Sequence, residues 1–214
     1  MKQLARDEEA QLIARSQQGE VEAFNQLIMQ YQQILYGTVF RLLGDYDTAS
    51  DVTQDAFIAA FRSIRTYRGN SSSFRAWLLR IGSNLVYDHW RRVQRHPASS
   101  LEAINEEEDD SRGASLLDTL TTMGIEGNPE EAILTQELQE VIQRGIQQLP
   151  LEQRTVIVLC DIQGLTYEEV AQITETALGT VRSRISRGRS RLRNYLQQHK
   201  ELLPKNYRLT NSND

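Results

Sequence analysis

The feature that most constrains this chain is a pair of short helical patterns in residues 166–196, the second of them strongly cationic. The segment reads TYEEVAQITETALGTVRSRISRGRSRLRNYL, and its second half contains no acidic residue. The chain as a whole is acidic, with a formal net charge of -5. A short cationic helix in an acidic protein indicates a polyanion-binding site, and nucleic acid is the first candidate. The arginines are Arg182, Arg184, Arg187, Arg189, Arg191 and Arg193.

The cationic helix divides into an apolar side, a polar side and two charged flanks. Residues that recur every three or four positions predict a buried stripe of Val181, Ile185, Gly188, Leu192 and Tyr195, with the glycine allowing another helix to approach. The opposite side carries Ser183, Ser186, Arg187, Ser190 and Asn194. This pattern suits the major groove of DNA, where short side chains reach base edges and flanking cations contact phosphates. The alternative is a solvated surface helix, although such helices usually mix the two signs of charge.

The residues before the cationic helix predict another helix that crosses it sharply. Thr166 and Glu169 have the spacing of a capping box, in which each side chain accepts a hydrogen bond from the other residue's backbone N–H. Thr176 is the expected N-cap of the cationic helix after a short turn. Upstream, Leu149 and Pro150 begin a further helix that packs beneath the pair. Together these patterns predict a helix-turn-helix domain, a module that many transcription regulators contain.

Residues 72–95, SSFRAWLLRIGSNLVYDHWRRVQR, predict a long helix that begins after serines suited to N-caps. Its apolar stripe consists of Phe74, Trp77, Leu78, Ile81 and Leu85, and its outward side is expected to carry Arg80, Ser83, Tyr87, Trp90 and Arg91. Unpaired bases stack on aromatic rings while cations neutralise the backbone, so the outward side is a candidate site for single-stranded nucleic acid. The alternative is that Tyr87 and Trp90 pack against another helix of the same domain.

Residues 47–65, DTASDVTQDAFIAAFRSIR, predict a helix with two apolar stripes. One stripe consists of Val52, Ala56 and Ala59, and the other of Phe57, Phe61 and Ile64. The polar residues Asp51, Gln54 and Asp55 lie beside these stripes. A helix that is apolar on two sides is either central to a bundle or docked to a partner, and the pattern leaves both open.

Two blocks of this sequence together resemble the bacterial extracytoplasmic-function sigma factors, the compact members of the sigma-70 family. The first block is DVTQDAFIAAFRSIRTYRG followed by FRAWLLRIGSN, and the second is LPLEQRTVIVLCDIQGLTYEEVAQ with GTVRSR. The resemblance covers about residues 20–95 and 129–196 in the family's order. It implies an all-α fold with a sigma-2-like helical bundle in residues 1–95 and a sigma-4-like helix-turn-helix domain in residues 129–200. It also implies that the chain binds core RNA polymerase and promoter DNA.

Carried over position by position, the resemblance implies three binding surfaces. The surface for the coiled coil of the largest polymerase subunit comprises Asp51, Gln54, Asp55 and Ile58. The surface for the melted −10 element comprises Arg80, Asn84, Tyr87, Trp90 and Arg91, in which Asn84 matches an asparagine that holds a flipped base. The surface for the duplex −35 element comprises Thr180, Arg182, Ser183, Arg184, Ser186 and Arg187. Ser186 and Gly188 depart from the family, where many members have an aromatic residue or His, and Ala, so the base sequence of the −35 element is not implied.

Residues 96–128 are predicted to form an acidic flexible linker between the domains, and residues 201–214 a polar tail. Against a single basic residue, Arg112, the linker contains Glu102, Glu106, Glu107, Glu108, Asp109, Asp110, Asp118 and Glu126. By charge alone this segment is a solvated tether. The resemblance implies that it threads through the active-site cleft and RNA exit path of the polymerase. There the EEEDD run is expected to occupy cationic channels until nascent RNA displaces it.

Other features of the sequence argue against catalytic and membrane functions. The one cysteine, Cys160, lies on an apolar helix face and fits a reduced compartment. His89, His96 and His199 have no metal-ligand spacing, so neither a metal nor another cofactor is expected. No apolar run is long enough for a membrane span, and the N-terminus lacks a signal peptide's apolar core. We therefore expect a protein of the bacterial cytoplasm without membrane insertion, and the resemblance suggests an inhibitory anti-sigma factor as a further partner.

Two other classes of function compete with the sigma factor. An autonomous helix-turn-helix regulator, which usually binds duplex DNA as a dimer, accounts for the cationic helix. It leaves the aromatic side of residues 72–95 and the polar positions of residues 47–65 without a function. An enzyme that acts on single strands, such as a nuclease or helicase accessory, needs a metal cluster or a nucleophile with a base, and the sequence supplies neither.

Overall fold

The computed structural model describes residues 6–69, 73–95, 129–199 and 201, and this part of the chain contains helices and turns but no strand. Its α-helices are α1 (Arg6–Gln17), α2 (Val21–Leu43), α3 (Tyr46–Ser63), α4 (Phe74–Arg95), α5 (Pro129–Gln147), α6 (Leu151–Ile157), α7 (Tyr167–Thr174) and α8 (Leu178–Gln197). A 3₁₀ turn, Ile64–Thr66, follows α3, and a π-helical segment, Val158–Ile162, extends α6. The all-α prediction is confirmed. The predicted linker, residues 96–128, and the tail from residue 202 lie outside the described residues.

Helix α2 is the centre of the N-terminal group of helices, α1–α4. Phe24, Leu27 and Leu35 are almost completely buried and recur at helical spacing. Helices α1, α3 and α4 all pack against α2. The crossing of α4 is close at Gly82, where a Cβ atom would lie 2.7 Å from Leu35 Cδ1. The absence of a side chain at Gly82 therefore sets the distance between α2 and α4.

The bounds of α3 and α4 lie within two residues of those that the sequence predicts. Asp45 caps α3 by accepting a hydrogen bond from the Thr48 backbone N–H at 2.7 Å. Ser73 Oγ accepts one from the Ala76 backbone N–H at 3.2 Å, at the start of α4. Both contacts satisfy a backbone donor that the first turn of a helix leaves free.

The structure shows that α3 is central to the bundle, as one interpretation of its two apolar stripes predicts, whereas docking to a partner stays a prediction. Val52 and Ala56 are buried in the core, and Phe57 is also buried. One residue further on, Ile58 keeps 42% of its surface exposed. Helix α3 is therefore central to the bundle on one side and presents apolar surface to solvent on another.

Helix α8 lies against α6 in the C-terminal group of helices, α5–α8. Val181 and Ile185 are buried, as the stripe predicts. At Gly188 the contact is so close that a Cβ atom would lie 2.8 Å from Ile157 Cγ1. The close approach predicted from this glycine is confirmed, and it fixes the direction in which the opposite side of α8 points.

The helix-turn-helix prediction is confirmed, but the residue predicted to cap α8 is wrong. Thr166 and Glu169 form the capping box, with backbone donors bonded at 2.9 Å and 3.2 Å. Thr176, expected to cap α8, instead shares a hydrogen bond with the Thr174 hydroxyl at 2.9 Å. The N-cap is Ala177, without a side-chain hydrogen bond. The reason is that Glu175 ends α7 in a left-handed conformation, φ 51°, so the turn extends one residue further.

The two groups of helices are in contact and share one continuous hydrophobic cluster. Helix α4 packs on α7, and α2 contacts α5, α6 and the π-helical segment. The sequence predicted two separate helical units and contained no signal for this contact. The exact domain boundaries, which fall at the edges of residues 96–128, stay a prediction.

We expect Gly188→Val to lower the free energy of unfolding by about 1–3 kcal/mol, because its side chain overlaps Ile157. Gly179→Val is the matched control on the same helix, since a Cβ atom at Gly179 meets nothing within 4 Å. The control should change stability by only about 0.5 kcal/mol. Urea unfolding of both variants measures the difference, and equal stabilities would contradict the close contact between α6 and α8.

Candidate nucleic-acid interface

Helix α8 presents a polar, cationic surface opposite its buried seam. Arg182, Ser186 and Arg187 are exposed, whereas Ser183 and Arg184 are partly buried. Arg187 Nη2 donates a hydrogen bond to Ser183 Oγ at 3.3 Å, so the guanidinium lies over the middle of this surface. The geometry agrees with the predicted division of the helix, and the exposed short side chains leave room for a base edge to approach.

On one flank of α8, an arginine that the sequence presents as a phosphate contact is already paired with a carboxylate. Arg189 donates two hydrogen bonds to the Asp161 carboxylate, at 2.6 Å and 3.0 Å. These bonds raise the pKa of Arg189 above its ordinary value. Arg189 also lines a shallow cleft with Tyr167, Arg182 and Arg193. A phosphate in this cleft would therefore compete with Asp161 for the Arg189 guanidinium, which makes Arg189 a poorer phosphate ligand than its unpaired neighbours.

Helix α4 carries the residues assigned to the −10 element, and they fall into two sets. Asn84 and Arg91 are exposed, and Trp90 is 37% exposed. Arg80 Nη2 instead forms an ion pair with Glu175 Oε1 at 2.6 Å. Tyr87 is half-buried, and this burial raises its pKa. The two sets alternate along the helix, and the engaged set contacts the C-terminal group.

The packing of Tyr87 differs from both readings of the sequence. Its side chain lies close to Thr155, Glu152 and Arg184, all in the C-terminal group. Tyr87 is therefore neither fully solvent-facing nor packed only within its own domain. Ser83, which the helical projection puts on the outward side, is also buried, at 2% exposure. That expectation was wrong because α2 and α3 both cover α4 and leave a narrower open side than an isolated helix has.

A polar cavity of about 220 Å³ lies between the two groups of helices, beside Arg80. Its N-terminal wall includes Arg68 and Trp77, and its C-terminal wall includes Glu169 and Gln172. The aromatic ring and the cations of the first wall are groups suited to a nucleotide base and its phosphate. Helix α7 covers them in this arrangement.

An apolar groove of about 670 Å³ runs between α2 and α3 on the other side of the N-terminal group. Gln54 and Ile58, two of the four positions assigned to polymerase, line it. Asp51 and Asp55 are exposed on the same helix. The four assigned positions have the spacing i, i+3, i+4 and i+7, which puts them on one side of α3. The four assigned positions therefore form one strip at the edge of an open groove.

Sequence reasoning missed the α2 side of this groove. That wall includes Val21, Phe24, Ile28 and Tyr36, and Val21 is 57% exposed. The available signal was a second apolar stripe in residues 21–43, comparable to the one recognised in α3. The stripe alone does not distinguish a groove from a contact with another helix.

No group of three or more His, Cys, Asp or Glu side chains is arranged to hold a metal ion in the described ranges, 6–69, 73–95 and 129–199. Within the same part of the chain, no helix combines the length and apolar character needed to cross a membrane.

Two family models match the chain, one within each group of helices. Residues 27–96 match sigma-70 region 2, and residues 139–192 match sigma-70, region 4. The first match contains α3, α4 and most of α2, and the second contains α6, α7 and most of α8. The residues assigned to the −10 and −35 elements therefore lie inside the matched regions.

Individual proteins resemble the chain over nearly its whole length. It is 36% identical to RNA polymerase sigma-H factor of Pseudomonas aeruginosa, over 91% of this chain and 96% of that protein. It is 38% identical to ECF RNA polymerase sigma-E factor of Escherichia coli K12, over 87% and 93% of the two chains.

Solved structures give the same result. Sigma factor RpoE of Bartonella quintana, in complex with the anti-sigma factor NepR, matches with a TM-score of 0.60 and 25% identity, over 81% of this chain and 96% of that one. CnrH, in complex with the cytosolic domain of CnrY, shares the fold with a TM-score of 0.58 and 23% identity, over 89% and 98%. The chain belongs to the extracytoplasmic-function sigma factors of the sigma-70 family.

Proposed function

We propose that this sigma factor reads the −35 duplex with α8, holds melted −10 bases on α4, and docks on core polymerase through the groove between α2 and α3. The observation that carries this division is the presence of three distinct surfaces in one chain, two cationic and one apolar. The reaction itself belongs to the polymerase, so we assign no catalytic residue to this chain. Its place of action is then the bacterial cytoplasm, where the polymerase is found.

The −35 surface consists of Thr180, Arg182, Ser183, Arg184, Ser186 and Arg187. Arg187 lies at the middle of the exposed side, where a guanidinium can donate two hydrogen bonds to the O6 and N7 acceptors of guanine. Ser183 and Ser186 are short enough to let the helix approach the base pairs. Exposed flanking arginines, including Arg191 and Arg193, supply sequence-independent contacts to phosphates.

The −10 surface consists of Arg80, Asn84, Tyr87, Trp90 and Arg91. The exposed Trp90 ring is suited to stacking on an unpaired base, a contact worth about 1–3 kcal/mol. Asn84 offers both donor and acceptor atoms to the edge of a flipped base. An autonomous helix-turn-helix regulator would leave this surface and the α2–α3 groove without a function, and no contact in the described residues favours it.

The polymerase surface is the groove between α2 and α3, edged by Asp51, Gln54, Asp55 and Ile58. An apolar groove bordered by amides and carboxylates suits a partner helix that has both apolar and basic residues.

An anti-sigma factor is a further proposed partner, supported by the likeness to the Bartonella quintana complex. The acidic linker, which lies outside the described residues, stays a proposal; its test is whether exchanging the EEEDD run for Ser and Asn changes the abortive RNA products.

Run-off transcription with purified core polymerase on genomic DNA fragments tests the function as a whole. Discrete transcripts that require this chain are the expected result, and their start points define the promoter. If the chain neither binds core polymerase nor yields transcripts, the proposal is wrong.

We expect Arg187→Ala to cost about 1–3 kcal/mol at one base pair of the −35 element and to relax specificity there. Arg191→Ala, on the flank, should weaken binding to all sequences alike and lower the salt dependence. Arg191 is a better flank control than Arg189, because Arg189 is paired with Asp161. Transcription from a panel of single-base promoter variants separates the two effects, and identical profiles would contradict the division of α8.

We expect Ile58→Asn to weaken binding of core polymerase by about 10- to 100-fold, since a buried aliphatic contact is worth about 1.5–3 kcal/mol. Met29→Asn is the control, because Met29 is 65% exposed but does not line the groove. Fluorescence anisotropy of the labelled chain with core polymerase measures both affinities. Equal affinities for the two variants would exclude the groove as the docking surface.

A further inference from the structure

We infer that Asp161 limits how tightly this chain binds DNA of any sequence, because its carboxylate occupies the middle cation of a row that would otherwise contact the DNA backbone. The inference rests on the proposed function of α8 as the −35 surface. It adds a residue that none of the three assigned surfaces contains, and gives that residue a role in specificity. The two ideas are tested by different experiments.

One flank of α8 carries a straight row of three arginines. Arg182, Arg189 and Arg193 are all exposed, and their positions put them on one side of the helix. From the rise of an α-helix, Arg189 lies about 10 Å along the axis from Arg182 and about 6 Å from Arg193. All three line one cleft of about 400 Å³, together with the hydroxyl groups of Ser186 and Ser190. Guanidinium and hydroxyl groups are common ligands of DNA phosphates, so the row is suited to the DNA backbone.

Asp161 occupies the middle arginine of this row from the side. Arg189 Nη2 donates to Asp161 Oδ1 at 2.6 Å, and Nε donates to Oδ2 at 3.0 Å. Two parallel hydrogen bonds between a guanidinium and a carboxylate form the same fork that a guanidinium presents to a phosphate. A phosphate can therefore use this side of Arg189 only by displacing the carboxylate.

The backbone that carries Asp161 explains how a carboxylate reaches this flank. Asp161 belongs to the π-helical segment Val158–Ile162, where the Gln163 N–H donates to the Val158 oxygen at 2.9 Å. The three residues before Asp161 are buried, whereas its side chain is 33% exposed. A π turn holds more residues than an α turn, so it changes the direction in which the following side chains leave the helix. Such segments are rare and are frequent at functional sites.

The position of Asp161 separates two kinds of DNA contact. Each cation that neutralises a phosphate releases counterions and strengthens binding to every sequence alike. Base readout is assigned to Ser183 and Arg187, which lie on a different side of α8 from the row. Asp161 therefore weakens the sequence-independent contacts without touching the base-reading residues. The ratio of specific to non-specific affinity, which decides whether a site is found among many competitors, rises as a result.

The test uses the full chain and removes the carboxylate at constant size with Asp161→Asn. Asp161→Ser removes it in a second way, and Asp161→Glu keeps the charge. Glu168→Gln is the matched control: it makes the same charge change at an exposed residue next to Tyr167, which lines the same cleft. Circular dichroism verifies that each variant is folded.

Binding to a fluorescein-labelled DNA duplex of random sequence is followed by anisotropy between about 50 and 200 mM salt. At the lowest salt we expect Asp161→Asn to bind about two- to fivefold more tightly than Glu168→Gln, the range that loss of an exposed ion pair allows. The plot of log affinity against log salt should become steeper by about one unit, as for one further phosphate contact. Asp161→Ser should behave like Asp161→Asn, and Asp161→Glu like the unaltered chain.

Two further measurements link the effect to Arg189 and to polyanions in general. In a chain that also carries Arg189→Ala, Asp161→Asn should not change the salt dependence, because no guanidinium remains to be released. Elution from a heparin column compares the same variants when duplex affinity is low. Asp161→Asn should elute at higher salt than Glu168→Gln.

Weaker binding by Asp161→Asn would overturn the inference, because it would mean that the carboxylate holds Arg189 ready for phosphate. Equal salt dependence and equal elution of Asp161→Asn and Glu168→Gln would overturn it as well, as would a gain that persists without Arg189. None of these measurements includes polymerase or a promoter. A failure of run-off transcription would therefore refute the proposed function without changing the result for Asp161.

Discussion

The rest of the structure depends on the burial of helix α2, which packs against the other helices of the N-terminal group and against the C-terminal group. Leu35 and Leu42 are removed almost completely from water, and such burial is the main favourable term in folding. The same helix forms one wall of the apolar groove and, at its C-terminus, accepts hydrogen bonds from Gln147 and Arg154. The groove, the position of α4 and the contact with the C-terminal group are therefore all set by one helix.

Charge is distributed so that most cations of the proposed DNA surfaces have either no protein partner or an exposed one. Arg187 has only a long hydrogen bond to a serine, whereas Arg80 and Arg189 are paired with exposed or partly exposed carboxylates. Exposed ion pairs contribute little to stability, about 0–1 kcal/mol, and are weakened by salt. Phosphate can therefore replace a carboxylate at little energetic cost. This is the physical basis on which a folded chain can exchange internal contacts for contacts with DNA.

Much of the local structure could be predicted because its causes lie within a few residues. The capping box at Thr166 and Glu169 and the close contact at Gly188 follow from side-chain chemistry and helical spacing. The cap at Thr176 was missed because the left-handed Glu175 moves the turn by one residue. Ser83 was misplaced because a helical projection cannot register how many neighbours cover a helix.

The sequence by itself determined the fold class, the two helical units, the cationic helix with its polar side, and the family to which the resemblance points. Only the tertiary structure decided that Tyr87 meets Thr155, that Arg80 meets Glu175, and that an open groove lies between α2 and α3. The physical reason is the separation along the chain over which each kind of interaction acts. Helical periodicity and capping act over three or four residues, whereas these contacts join residues that are distant in the chain and depend on how whole helices pack.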